Sequence, residues 1–212
     1  MTPKELFYEK NAAVIIKNLE KRQMEGYYCA TSKEAVEKAC SFIRPGDTVT
    51  SGGSVTLDEC GMLSCLSENK DITFLNRTTV STLEEKEQIE KQAFLSDCYF
   101  MSTNAITLDG ELLNIDGNGN RLAALIYGPK TVIIMTSMNK AVTDIKAAYD
   151  RVKNIASPQN SLRVGAKTPC TVTGSCSDCL SPDCICSHTV ITRRNMHKGR
   201  IKVILIGENL GY

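Results

Sequence analysis

Short apolar runs alternate with amphipathic stretches along nearly the whole chain, and that rhythm narrows the folds open to it. Strand-sized runs fall at Tyr27–Ala30, Thr48–Thr50, Ile72–Leu75, Tyr99–Ser102, Thr131–Thr136 and Lys202–Ile206. Between them the apolar spacing becomes helical. The capping box Thr2-x-x-Glu5, with Pro3 at the first helical position, predicts a helix to about Glu25. Its residues Ala12, Ile15, Ile16 and Leu19 form one apolar face. A second helix is predicted, capped by Ser32 and running through Ala35, Val36 and Ala39 until Pro45-Gly46 ends it, and others over Val55–Met62, Leu83–Leu95 and Val142–Ile155. Strands and helices in this order build a mostly parallel sheet covered on both faces, an α/β fold. At 212 residues the chain suits one domain with a core of its own. The composition shifts only after Ser157-Pro158, where helix and strand signals fade and cysteines crowd in.

Charge removes two classes of partner. With 25 Lys+Arg against 24 Asp+Glu, no bulk field draws the chain to nucleic acid or an anionic membrane. The longest apolar runs are far too short to cross a bilayer. Thr2-Pro3-Lys4-Glu5 leads into a charged amphipathic stretch rather than an apolar one, so a cytoplasmic protein is expected. In that reducing setting ten cysteines read as thiols, with metal ligands among them, rather than as disulfides.

Two glycine-rich loops are candidate ligand sites. Ser51-Gly52-Gly53-Ser54 lies between a strand and a helix start, where glycines admit a ligand to the backbone and helix amides attract anions. The alternative is a tight turn with Ser54 as a plain helix cap. The second loop runs Asp116-Gly117-Asn118-Gly119-Asn120-Arg121, whose Asn and Gly residues tolerate positive φ. Arg121 could clamp a carboxylate or phosphate, and Asn104 lies close by in sequence. For this loop the alternative is a hairpin turn at Asp109-Gly110 with Arg121 in a surface ion pair. Asn76-Arg77 and Asn139-Lys140 each follow a predicted strand, at the end where open α/β sheets place ligands. Only His188 and His197 supply imidazoles, both in the C-terminal segment. Acid–base work in the body therefore falls to carboxylates or Lys140.

The strongest motif is Cys170-x5-Cys176-x2-Cys179-x4-Cys184-x-Cys186, with turn residues Gly174, Ser177 and Pro182 between the thiols. Clustered thiolates suit zinc or an iron–sulfur cluster, and spacing does not separate the two. A redox disulfide pair or plain free thiols are the alternatives. Cys29, Cys40, Cys60, Cys65 and Cys98 are scattered and read as small buried residues.

Taken together, Ser51–Ser54, Asn104-Ala105-Ile106-Thr107, Asp116–Arg121, Gly128-Pro129-Lys130 and Gly207–Tyr212 resemble the LUD-domain (lactate utilisation, LutC-like) family over nearly the whole chain. The tail Pro169-Cys170 with Thr173–Pro182 is similar to that of its small single-domain branch, with the cysteine-rich segment at about 166–190. The resemblance implies a Rossmann-like layered sheet, parallel or mixed, like the NagB/RpiA/CoA-transferase group. It also implies association with an iron–sulfur system oxidising L-lactate to pyruvate, with oxidoreductase partner subunits. That branch carries a basic residue where this chain has Cys184, so the resemblance gives Cys170, Cys176, Cys179 and Cys186 as ligands and Cys184 as a fifth thiol. No catalytic residue is carried over. The expectation is a redox-associated protein binding a small anionic metabolite between the glycine loops, able to form oligomers. Its competitors are a regulatory binding module with structural zinc and a CoA-transferase-like enzyme.

Overall fold

The capping box forms: Thr2 Oγ1 accepts from the Glu5 amide at 3.2 Å, and the Glu5 carboxylate accepts from the Thr2 amide at 2.7 Å. In the computed structural model, which describes residues 1–212, α1 (Pro3–Lys21) buries Ala12, Ile15 and Leu19. The helix stops short of the expected Glu25. Gln23 turns into the left-handed region at φ 61° and aims the chain into β1 (Glu25–Cys29). Next come α2 (Ser32–Cys40), β2 (Thr48–Ser51), α3 (Val55–Glu59), α4 (Met62–Glu68), β3 (Thr73–Leu75), α5 (Leu83–Gln92) and β4 (Cys98–Met101). Thr31, not Ser32, caps α2. The chain continues through β5 (Ala105–Thr107), β6 (Leu112–Asp116), α6 (Asn120–Tyr127), β7 (Thr131–Ser137), β8 (Ala141–Val142) and α7 (Ile145–Arg151). It ends with α8 (Ser157–Arg163), α9 (Pro169–Thr173), β9 (His188–Thr192) and β10 (Ile201–Ile206).

Six strands form an all-parallel sheet in the order β1-β10-β7-β4-β2-β3. Period-two alternation divides its side chains between two layers. Val132, Ile134, Val203 and Leu205 pack with the α1 stripe, whereas Ile133, Met135, Ile204 and Ile206 pack with Leu57 and Phe100. The apolar runs are continuous because both faces are covered, as parallel sheets require. The parallel α/β sheet expected from the alternation is found, and so is the Rossmann-like layering that the resemblance implies.

A smaller mixed sheet, β8-β5-β6-β9, was not expected from the sequence. Its strands are only two to five residues long, below what alternation can signal. β5 and β6 form the hairpin at Asp109-Gly110, and Gly110 turns at φ +80°. The fading of helix signal at Ser157-Pro158 was misleading, because helical structure runs on to Arg163. Pro158 has no amide to donate, and the chain accommodates it with a π-turn over Val152–Ala156, in which the Ser157 amide donates to Val152 O. Cys29, Cys60 and Cys98 are buried, as expected, while Cys40 and Cys65 are half-buried with their Sγ atoms 3.2 Å apart. No helix is long and apolar enough to cross a membrane.

Candidate functional site

The parallel strands end on one side of the sheet, and three of those ends meet. The turn after β2 supplies Gly53 and Ser54 and the start of α3 supplies Thr56, the residues after β4 supply Ser102 and Asn104, and the turn after β7 supplies Lys140. They line a pocket of about 80 Å³ at the carboxyl edge of the sheet, the place the strand order favours for ligands. Its charged side chains are Arg121, Lys140 and Arg163, all cationic.

Lys140 is 3% exposed. Its ammonium donates to Thr56 Oγ1 at 2.7 Å and Ser102 Oγ at 3.3 Å, both neutral hydroxyls. Burial, then the charges of Arg151 and Arg121, push its pKa down to about 7, with Glu59 alone opposing. Arg151, also buried, donates to the carbonyls of Asn104 at 2.6 Å and Asn139 at 3.3 Å, and burial lowers its pKa to about 10. The chain after β10 closes over the amine. The Gly211 amide donates to Glu59 at 2.6 Å, Gly211 O accepts from Asn139 Nδ2 at 3.3 Å, and Tyr212 reaches Asn160 at 3.4 Å. Gly211 has φ +57°, and a methyl group there would lie 2.5 Å from Thr56 Oγ1 and 3.1 Å from the Lys140 Nζ.

Arg121 touches this pocket in a way the sequence did not suggest. Nη1 donates to Ser102 O at 3.2 Å and Asn114 Oδ1 at 2.9 Å, and Nη2 to Asn104 Oδ1 at 3.2 Å and Ile115 O at 2.8 Å. Nε lies 3.4 Å from Asp116. The guanidinium thus joins the end of β4 to β6, and neither a surface ion pair nor a free clamp describes it. Gly52 packs against its stem. A methyl group there would come within 2.7 Å of the Tyr99 hydroxyl and 3.1 Å of Arg121 Cγ. Gly52→Ala is therefore expected to destabilise the protein by about 2 kcal/mol, read as a lower urea midpoint, because buried Tyr99 has no room to yield.

The other expected residues spread outward. Ser51, Gly52, Asn76 and Arg77, with Gly53 and Ser54, line an adjoining open cleft of about 520 Å³, where Arg77 pairs with Glu90 at 2.5 Å. Ser54 also caps α3, accepting from the Leu57 amide at 3.3 Å. A methyl group on Gly117 would lie 3.5 Å from the Ile185 backbone and one on Gly119 3.3 Å from the His188 ring, so that loop leans on the cysteine segment; Asn118 is exposed. Asn120 sits apart, in a small void with Tyr99 and Arg77. Asn139 holds the C-terminal tail rather than lining the pocket. Sequence reasoning missed Ser102, Arg151, Asn160, Arg163 and Tyr212. Of these, only Ser102 had a usable signal, its place at a strand end.

All five C-terminal cysteines line one cavity of about 430 Å³, but no three metal-ligating side chains converge on a single ion position. Ile115 lines both this cavity and the polar pocket. Helix α8 does likewise, with Ser157 and Ser161 toward the thiols and Asn160 and Arg163 toward the pocket.

A DUF162 family protein from Deinococcus radiodurans has a similar fold, with a TM-score of 0.52 at 10% identity over 95% of this chain and 98% of that one. Partial likenesses include eIF2B delta and eIF2B beta from Chaetomium thermophilum. The first gives a TM-score of 0.36 at 19% identity, over 53% of this chain and 48% of that one. The second gives 0.38 at 15%, over 53% and 39%. No curated protein matches the chain. The LUD domain model matches residues 12–206, and the chain belongs to the LUD-domain family.

Proposed function

We propose that this protein binds a small carboxylate in the polar pocket and carries a metal centre in the cysteine cavity behind it, as a redox-associated member of its family. Membership of the LUD family supports a lactate-utilisation-related role. The observation that carries the ligand reading is Lys140, a buried ammonium with only hydroxyls as hydrogen-bond partners in a pocket whose charged side chains are all cationic. Buried charge is compensated in stable proteins, so an anion is the missing partner. Size narrows its class. A pocket of about 80 Å³ suits a small carboxylate rather than a large one. Thr56 and Ser102 orient the amine, and Arg151 and Arg121 add positive field.

The sign of the pH dependence follows. The anion selects the protonated amine, whose population falls as pH rises through about 7. Affinity for L-lactate or pyruvate, measured by calorimetry, is expected to be about tenfold weaker at pH 8 than at pH 6. Lys140→Gln should remove both the affinity and its pH dependence. Unchanged binding by that variant would refute the assignment.

A further inference from the structure

Lys140 lines the polar pocket, and its amine is hydrogen-bonded to no acid. Its partners are the hydroxyls of Thr56 and Ser102, at 2.7 and 3.3 Å. Arg151 and Arg121 act against its proton, and Glu59, which accepts from the Gly211 amide, is the one carboxylate that favours it. With the pKa held at about 7, about half of the molecules carry a neutral amine at neutral pH, against about one in a few thousand for an exposed lysine. A neutral amine in a water-poor pocket does more than pair with an anion. Its lone pair is a nucleophile for carbonyl carbon.

From the placement of this buried amine between two hydroxyls in a cationic pocket, we infer that Lys140 captures small 2-oxo acids covalently, as an imine on Nζ. The inference rests on the carboxylate reading of the pocket and narrows its substrate class to acids with a carbonyl beside the carboxylate. The carboxylate has a second cation to hold it while the amine gives up its proton. Arg163 is exposed at the pocket and spends Nε and Nη2 on Asn160 Oδ1, at 3.0 and 2.7 Å, which leaves further donors for an anion. The ammonium first releases a proton to solvent, and its nitrogen then bonds to the carbonyl carbon. A hydroxyl both gives and takes a proton, so Thr56 or Ser102 can pass one from that nitrogen to the carbonyl oxygen, which yields a carbinolamine. The carbon–oxygen bond then breaks as the nitrogen lone pair closes the C=N bond, and the departing hydroxide takes up the proton released at the start. Together, one ammonium and one ketone become one iminium and one water, with no oxidant or reductant. The iminium carbon is bonded directly to the carboxylate carbon, so the anion keeps a cation beside it. The chain after β10 covers the amine through Gly211 and Tyr212, which keeps bulk water from the imine.

The test is incubation of the full chain with pyruvate and cyanoborohydride at pH 7, which reduces an iminium in place, followed by peptide mass mapping. The expected result is a carboxyethyl group on Lys140, formed at least about tenfold faster than on any other lysine. L-Lactate, which has the carboxylate but no carbonyl, should leave the chain unmodified. Lys140→Met should give no adduct at the pocket while circular dichroism stays unchanged. The map of the wild-type chain locates the adduct by itself, so the test stands even if that variant fails to fold. Label confined to exposed lysines and the terminal amine overturns the covalent step; if calorimetry then still shows Lys140-dependent binding of pyruvate and L-lactate, the carboxylate reading survives it. Neither adduct nor affinity overturns both.

Discussion

Arg121→Ala is expected to cost about 3–5 kcal/mol, a large share of the stability of a domain this size. Five contacts meet on the guanidinium, from Ser102 O, Asn114, Asn104, Ile115 O and Asp116, in a site where its side chain is 13% exposed. Truncation leaves the Asp116 carboxylate without its cation and two amide oxygens and two carbonyls without their donor. Because Asp116 ends β6 and Ser102 follows β4, the lost contacts are those that fix the small sheet to the large one. Lysine does not rescue the loss, since one ammonium cannot span acceptors set out for a planar fork. Urea denaturation followed by circular dichroism checks both variants. If Arg121 were a free anion clamp, the alanine variant would keep the wild-type midpoint, and such a result would strip the guanidinium of its structural role.

The contrast between Arg121 and Lys140 shows how far sequence reasoning reached. The parallel sheet was legible because Thr131–Thr136 and Lys202–Ile206 are continuous apolar runs, buried on both faces and bracketed by capped helices. Strands as short as Ala141–Val142 carry no period of their own, so the second sheet was invisible. Placing Lys140 after a predicted strand, and grouping Asn104 with the loop of Arg121, was enough to bring both to the pocket. What a side chain does there depends on partners remote in sequence. Arg121 looked free beside a glycine-rich loop because its acceptors come from β4, β6 and the turns between them. Arg151 looked like the polar side of an amphipathic helix, yet it reaches back to the carbonyls of Asn104 and Asn139. The cysteine spacing did announce a cluster of thiols; that they surround a cavity is a matter of how β6, α8 and the C-terminal segment enclose them.

Lys140→Met is expected to raise stability while it removes carboxylate binding. In the unfolded chain the amine titrates near 10.4, and in the native pocket near 7. Between those values the unfolded state holds more protons, so wild-type stability rises with pH across that window and is lowest below it. The cost at neutral pH is roughly 4 kcal/mol. Methionine fills a similar volume without charge, and the lost bonds to Thr56 and Ser102 return about 1 kcal/mol each. A net gain of about 2 kcal/mol remains, raising Tm by about 4–8 °C. Denaturation at pH 6 and pH 9 separates this from a general packing gain. The advantage of the variant over wild type should shrink by about 2–3 kcal/mol between those two values, because the penalty it relieves is fading. A pH-independent difference, or a variant less stable than wild type at pH 6, would show that the amine is already compensated within the fold. The carboxylate of the proposed function would offset that cost by pairing with the buried amine.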